Sequence, residues 1–218
     1  PQGGRTPRAQ FRFSAGPLRI GSMDAKSILV RGNFAAPILT LDEMRADFTD
    51  GSSLLAEGSF DSATQGIVGG RWQLSGSFLQ RLLPGFSYAA LAATGELHGP
   101  LTNLAHHGEA VFTTARAAGL KPFDFRAKWS GRNQQVTTAD VEWRAGESVL
   151  SIGAAADFDV TERRVAANLN QLTLRRENEE LFALQQPCAI TFRTGQTNAP
   201  GGLWMLAVEA FQWRGEHH

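Results

Sequence analysis

The feature that most constrains this chain is an alternation of apolar and polar side chains, repeated along most of its length. Residues 123–130 give it most clearly, running Phe123, Asp124, Phe125, Arg126, Ala127, Lys128, Trp129, Ser130. Successive side chains on a β-strand point to opposite faces, so a period of two assigns a strand with one oily and one watered side. Similar runs occupy 28–34, 44–48, 54–60, 71–74, 91–97, 109–114, 138–143, 149–158, 165–174, 189–192 and 203–213, bounded by clusters of Gly, Asn, Asp, Ser or Pro. The expected fold class is all-β: about a dozen strands, each some 25–35 Å long at roughly 3.3 Å per residue. Neighbours in sequence are most simply joined as antiparallel hairpins in a meander.

Two stretches resist the strand reading. In Ser77 to Phe86, "SFLQRLLPGF", Phe78, Leu82 and Leu83 approach helical spacing and the pattern stops at Pro84 and Gly85, which predicts one or two turns of helix. In Arg175 to Leu184, "RRENEELFAL", an acidic cluster precedes Leu181, Phe182 and Leu184, a pattern open to either a hairpin turn or a second short helix. An internal echo is also present. Residues 54–74 and 150–172 both read strand, small residues, Phe-Asp, a polar turn with Thr, then strand, with Phe60-Asp61 and Phe158-Asp159 lying 98 residues apart. Repeated hairpins of this kind suggest a sheet that grows by adding similar units.

Composition bounds the function. With 218 residues, 42% apolar, 19% charged and a formal net charge of zero, the chain has material for a sizeable core. It offers neither the basic stripe that nucleic acid requires nor a polybasic patch for anionic lipid, so no nucleic-acid partner is expected. No run of eighteen apolar residues occurs, and the opening "PQGGRTPRAQ" is polar and turn-rich, unlike a signal peptide. Residues 1–17 are expected as a poorly ordered or strand-like leader. Residues 18–213 are expected as one elongated β-groove segment of a larger protein, and 214–218 as a tail whose His217 and His218 are open to a reading as the start of a purification tag. The single cysteine, Cys188, forms no internal disulfide and leaves the compartment open.

The residue patterns of catalysis are missing, and the expectation is a protein that is not an enzyme and takes no cofactor. His106 and His107 are adjacent, so on a strand they face opposite ways and share a metal poorly; His98 stands apart from them. Neither a Gly-x-Ser-x-Gly elbow nor a His-Glu-x-x-His pair occurs. Asp42, Glu43, Asp47 and Asp50 cluster, but Met44, Ala46 and Phe48 interleave with them as on a solvated strand face. "GIVGGRW" (66–72) has a glycine pattern near that of a dinucleotide fingerprint but leads into a strand where the fingerprint needs a helix. The five tryptophans suit an apolar strand face better than sugar stacking.

The stretch 72–120, "WQLSGSFLQRLLPGFSYAALAATGELHGPLTNLAHHGEAVFTTARAAGL", strings together a strand, a short apolar stretch ending near Pro-Gly, the glycine-punctuated "GELHGPL", an Asn-containing turn and the strand "GEAVFTT". The hairpin "VEWRAGESVLSIGAAADFD" (141–159) and "ELFALQQPCAITFRTG" (180–195) follow the same grammar. In this the chain resembles the TamB and AsmA-like family of large bacterial envelope proteins, over most of residues 20–213. The resemblance implies an elongated, curved antiparallel β-sheet, a taco or gutter with an apolar inner groove and one or two short helices. It implies a bridge that carries phospholipid between inner and outer membranes, and for the TamB branch a part in outer-membrane protein assembly beside an Omp85-type barrel. It also implies the periplasm of a Gram-negative-type bacterium, with an inner-membrane anchor outside these residues.

A groove of this kind would be lined by one parity of each strand: Ile28, Val30, Met44, Phe48, Trp72, Leu74, Phe112, Phe123, Phe125, Trp129, Val141, Trp143, Leu150, Ile152, Phe158, Ile190, Phe192, Leu206 and Val208. An ordinary closed core between two sheets would use the same residues. Two further functions compete with lipid conduction. One is a non-catalytic structural or interaction module, either a scaffold for β-augmentation or an adhesin-like passenger. The other, a carbohydrate-binding or hydrolytic β-sandwich, lacks the paired carboxylates its chemistry would need.

Overall fold

The computed structural model describes residues 7–20, 23–77, 86–117, 119–159, 161–162, 164–177, 179–194, 204–208 and 212–215. The fold is all-β. Two compact units divide the chain, Pro1–Pro122 and Phe123–His218, and each is a curved, open antiparallel sheet. The helix expected near Ser77–Phe86 falls mostly on residues 78–85, outside the described residues.

The first unit holds β1 (Arg8–Ala15), β2 (Leu18–Ile20), β3 (Met23–Ala35), β4 (Ile38–Phe48), β5 (Ser53–Asp61), β6 (Gly66–Ser75), β7 (Phe86–Ser87), β8 (Ala90–Pro100) and β9 (Ala105–Ala117). A single 3-10 turn, Leu101–Asn103, joins the last two. β1 and β2 both pair with β3, and the sheet continues through β4, β5, β6 and β8 to β9; β7 adds a short pairing to β9. Part of the leader, Arg8–Ala15, is therefore a full strand of this sheet.

The second unit holds β10 (Phe123–Arg132), β11 (Gln135–Ala145), β12 (Ser148–Asp159), β13 (Arg164–Arg176), β14 (Glu179–Leu184), β15 (Cys188–Thr194), β16 (Trp204–Val208) and β17 (Trp213–Gly215). β10 to β13 form a meander, after which the sheet forks. One half of β13 pairs with β14 and the other with β15; β17 then follows β14, and β16 follows β15. Of the two readings open for 175–184, the hairpin is what forms, with Glu177 at φ 52° in the turn. The stretch 203–213, expected as one strand, forms two, β16 and β17, on different branches. A five-residue strand and a three-residue strand suit the two short ends of the fork; one eleven-residue strand would fit neither.

Strict alternation would put every second residue on one side, and several strands break it once. In β3 the apolar series runs Ala25 then Ile28, in β4 Leu41 then Met44, in β6 Ile67 then Gly70, in β11 Val136 then Ala139, and in β13 Leu169 then Leu172. Each gap of three coincides with a register shift in which one extra residue is inserted opposite a regular partner strand. A bulge of this kind re-phases the strand, so the apolar residues on both sides of it stay on one face. Bulges also increase local twist and bend the strand.

The echoed hairpins are matched in structure. β5–β6 and β12–β13 each end their first strand on Phe-Asp and use the aspartate to hold the turn. Ala63 N and Thr64 Oγ1 donate to Asp61 at 2.8 and 3.0 Å, and Glu162 N donates to Asp159 at 2.9 Å. The Ala63 N–H, with help from Thr64, holds the Asp61 carboxyl below the usual carboxylate range. On β4 a hydrogen bond from Arg45, whose guanidinium is fixed on both carboxylate oxygens at 3.0–3.1 Å, does the same for Asp47. A lowered folded-state value means the carboxylate contributes stability above the unfolded value of about 3.9 and loses it as pH falls through the folded value. Urea midpoints should therefore drop on acidification below about pH 4. Asp61→Asn keeps an acceptor in the turn but removes the charge, so it should start from a lower midpoint at neutral pH and lose less on acidification than the unaltered chain.

Candidate functional site

Residues directly opposite each other in an antiparallel pair share a face, so the register traces a surface across each sheet. In the second unit one row runs Phe125, Trp143, Leu150, Leu174, Phe182, and the next runs Ala127, Val141, Ile152, Leu172. Nearer the other end, Phe158 lies opposite Val165 and Val165 opposite Phe192; Ala167 lies opposite Ile190, which lies opposite Val208. Leu206 occupies the register position opposite Phe192. The eleven groove candidates of this unit whose side chains are described, Phe123 and Trp129 among them, therefore fall on one face. Phe123 packs its ring on Trp143 with centroids 5.5 Å apart.

The first unit repeats the arrangement. One row joins Phe13, Val30, Met44, Ala56, Trp72 and Gly95, and a second joins Ala15, Ile28, Ala46, Leu54, Leu74 and Ala93. Phe48 continues the β4 series, and Phe112 lies opposite Leu91 on β9. The seven candidates of this unit, Ile28, Val30, Met44, Phe48, Trp72, Leu74 and Phe112, again share one face. Phe112 is edge-on to Tyr88 at 5.2 Å and to Phe86 at 5.8 Å, which makes an aromatic cluster at that end of the sheet.

The same faces carry further large apolar residues. Phe34, Leu54, Phe60, Leu91, Leu172, Leu174 and Phe182 lie on them, where parity within their own strands assigns them. Trp72 also has a partner that parity alone does not reveal. Its indole lies against Gly95 so closely that a Cβ there would come within 2.6 Å of three ring atoms. Gly95 stands opposite Gly108, and the indole covers backbone that would otherwise be bare. Gly95→Ala should cost about 1–3 kcal/mol through displacement of the indole, measurable as a lower urea midpoint together with a shifted tryptophan emission.

The opposite face is polar and watered. In the first unit Glu57, Arg71, Glu96 and His107 succeed one another across β5, β6, β8 and β9, with separations of 3.4, 3.8 and 3.3 Å. Arg31 meets Glu43 at 2.9 Å, and Ser27 donates to Asp47 at 3.1 Å. In the second unit Arg144 and Glu142 pair at 3.0 Å and Ser130 and Thr138 share a 2.6 Å hydrogen bond. Exposed pairs of this type are worth only about 0–1 kcal/mol each. They mark the side that faces water, which the apolar pattern of the other face fixes.

The degree of cover on the apolar side decides what kind of surface it is. Of the eighteen candidates whose side chains are described, fifteen are half-buried, Phe123 is buried, and Phe158 and Val208 are exposed at 41% and 47%. A core closed between two layers would bury such side chains almost completely. Within each unit every strand is hydrogen-bonded into the same sheet, branched at β3 in the first and at β13 in the second, and among the described residues no second layer within a unit lies over it. No group of His, Cys, Asp or Glu among the described residues could hold a metal ion, and no helix among them is long and apolar enough to cross a membrane. Compared with protein-family models, curated proteins and solved structures, the chain matches none.

Proposed function

We propose that this chain is a lipid-binding segment that holds acyl chains along the apolar faces of its sheets and, within a larger envelope protein, conducts phospholipid between two membranes. The observation that carries the reading is the continuity of those faces: strand after strand contributes large apolar side chains to one side, and they are left half-covered. Apolar area of this extent in water is unfavourable, and an acyl chain is the ligand that covers it without polar recognition.

The energetics need no specific contacts. Each buried CH₂ is worth about 0.8 kcal/mol, so eight methylenes laid on the face contribute roughly 6 kcal/mol. A ligand held by area alone can slide, because moving it by one carbon exchanges equivalent contacts. Bulges that keep the apolar series in phase across each sheet serve the same end, since an unphased strand would interrupt the face with a polar side chain. The resemblance to the TamB and AsmA-like family supports the same reading and extends it to a periplasmic location and an Omp85-type partner.

The direct test is a titration of the purified chain with a fluorescent fatty acid, followed by transfer of labelled phospholipid between donor and acceptor vesicles. Binding with low-micromolar or tighter affinity and acceleration of transfer are the expected results. A chain that neither binds the probe nor moves lipid is no lipid carrier, and a scaffold or interaction module would then describe it better.

A further inference from the structure

Apolar cover is thin at one corner of the first unit. Phe13 on β1 is 56% exposed and Phe11 on the same face 37%; across β3 and β4 they are continued by Phe34 and by Leu39, itself 39% exposed. Three aromatic rings and a leucine on three adjacent strands form a contiguous patch, larger than the scattered single apolar residues of an ordinary surface. No charged side chain interrupts it: Arg12, between the two phenylalanines, belongs to the opposite parity and stands opposite Arg31 on the polar side.

From this we infer that, when empty of lipid, the chain associates with a second copy of itself through the apolar face of the first unit, and that acyl-chain binding and self-association exclude each other. The area suffices. Seven adjacent strands spaced at about 4.8 Å, each with about ten residues at roughly 3.3 Å, give a face of roughly 1,100 Å². Half of that from each copy amounts to about 1,100 Å² in total, which already meets the approximate lower bound of 1,000 Å² for a specific interface. A twofold contact uses the same patch on both partners, and an uncharged patch meets its own copy with no like charges opposed. The competition rests on the acyl-chain reading above; the self-association does not.

Sedimentation velocity of the lipid-extracted full chain, with and without saturating sub-micellar oleate, separates these statements. The expected result is a concentration-dependent dimer of the 23.6 kDa chain that dissociates when oleate is added. Phe13→Glu should weaken the dimer by roughly ten-fold or more, and because Phe13 is largely exposed the variant should stay folded. Arg12→Glu, on the other face, should leave the dimer as it is. A lipid-extracted chain that stays monomeric to about 100 μM, weaker than a specific interface allows, or a dimer indifferent to Phe13→Glu, overturns the proposal. A dimer sensitive to Phe13→Glu that persists while oleate is demonstrably bound overturns the exclusion. If oleate does not bind at all and that dimer persists, the acyl-chain reading fails while the self-association stands.

Discussion

Gly76→Ala is expected to lower the stability of the first unit by about 3 kcal/mol. Two costs coincide at this position. Gly76 has φ +114°, a conformation that disfavours any Cβ, and a Cβ built there would stand 2.3 Å from the Ser52 Cα, which belongs to backbone and cannot swing aside. Ser52 is held on several sides: its N–H donates to Asp50 at 2.9 Å, its Oγ accepts from Ser77 N at 2.9 Å, and only 1% of the residue is exposed. Gly51, in the neighbouring turn, supplies the comparison. It too has positive φ, +84°, but nothing lies within 4 Å of an added Cβ, so Gly51→Ala should show the backbone cost alone, about 1 kcal/mol. Urea unfolding of both variants measures the difference. Equal losses would mean that the turn at Asp50–Ser52 yields to Gly76 and is not a fixed point of the fold.

Phe125→Asp should reduce acyl-chain capture by about ten-fold while leaving the second unit folded. Phe125 sits in the row with Trp143 and Leu150, and it is half-buried, so a carboxylate there keeps access to water. Burying a polar group without a partner costs about 1–3 kcal/mol in mutational data, and partial exposure keeps the cost near the lower end. A lipid tail laid over the same row would have to cover the charge, and that cost falls on binding. Thr173→Asp places the same charge on the other face, opposite Ser151 and Ala183, and should leave capture unchanged. Were the face a closed core, Phe125→Asp would instead unfold the unit, and loss of lipid would accompany loss of structure. Thermal melts run beside the binding titration distinguish the two outcomes.

Much of this architecture was legible in the residue pattern, because period two is a direct consequence of strand geometry. The run from Phe123 to Trp129 places its four apolar residues on one side without further information, and the eighteen groove candidates whose side chains are described assort onto one face in each unit as parity requires. What parity could not supply was phase across the bulges. The gap between Leu169 and Leu172, or between Leu41 and Met44, looks in sequence like a lapse of alternation; only pairing with the neighbouring strand identifies the extra residue. The same limit explains the fork at β13, since which half of a long strand takes which partner depends on long-range pairing. The close seat of Trp72 on Gly95 lay beyond the sequence for the same reason: the two residues are 23 positions apart and meet only through register. Local chemistry fared better. The repeated Phe-Asp followed by a Thr-containing turn marked two hairpins that do use the aspartate as a turn acceptor.

Native mass spectrometry of the chain, expressed in a Gram-negative host and purified without detergent, tests most directly the proposal that lipid tails cover the apolar faces. The account predicts protein carrying adducts of phospholipid mass, with occupancy falling by about ten-fold in Phe125→Asp and unchanged in Thr173→Asp. Protein that flies free of lipid, and that still carries none after incubation with phospholipid vesicles, would contradict it.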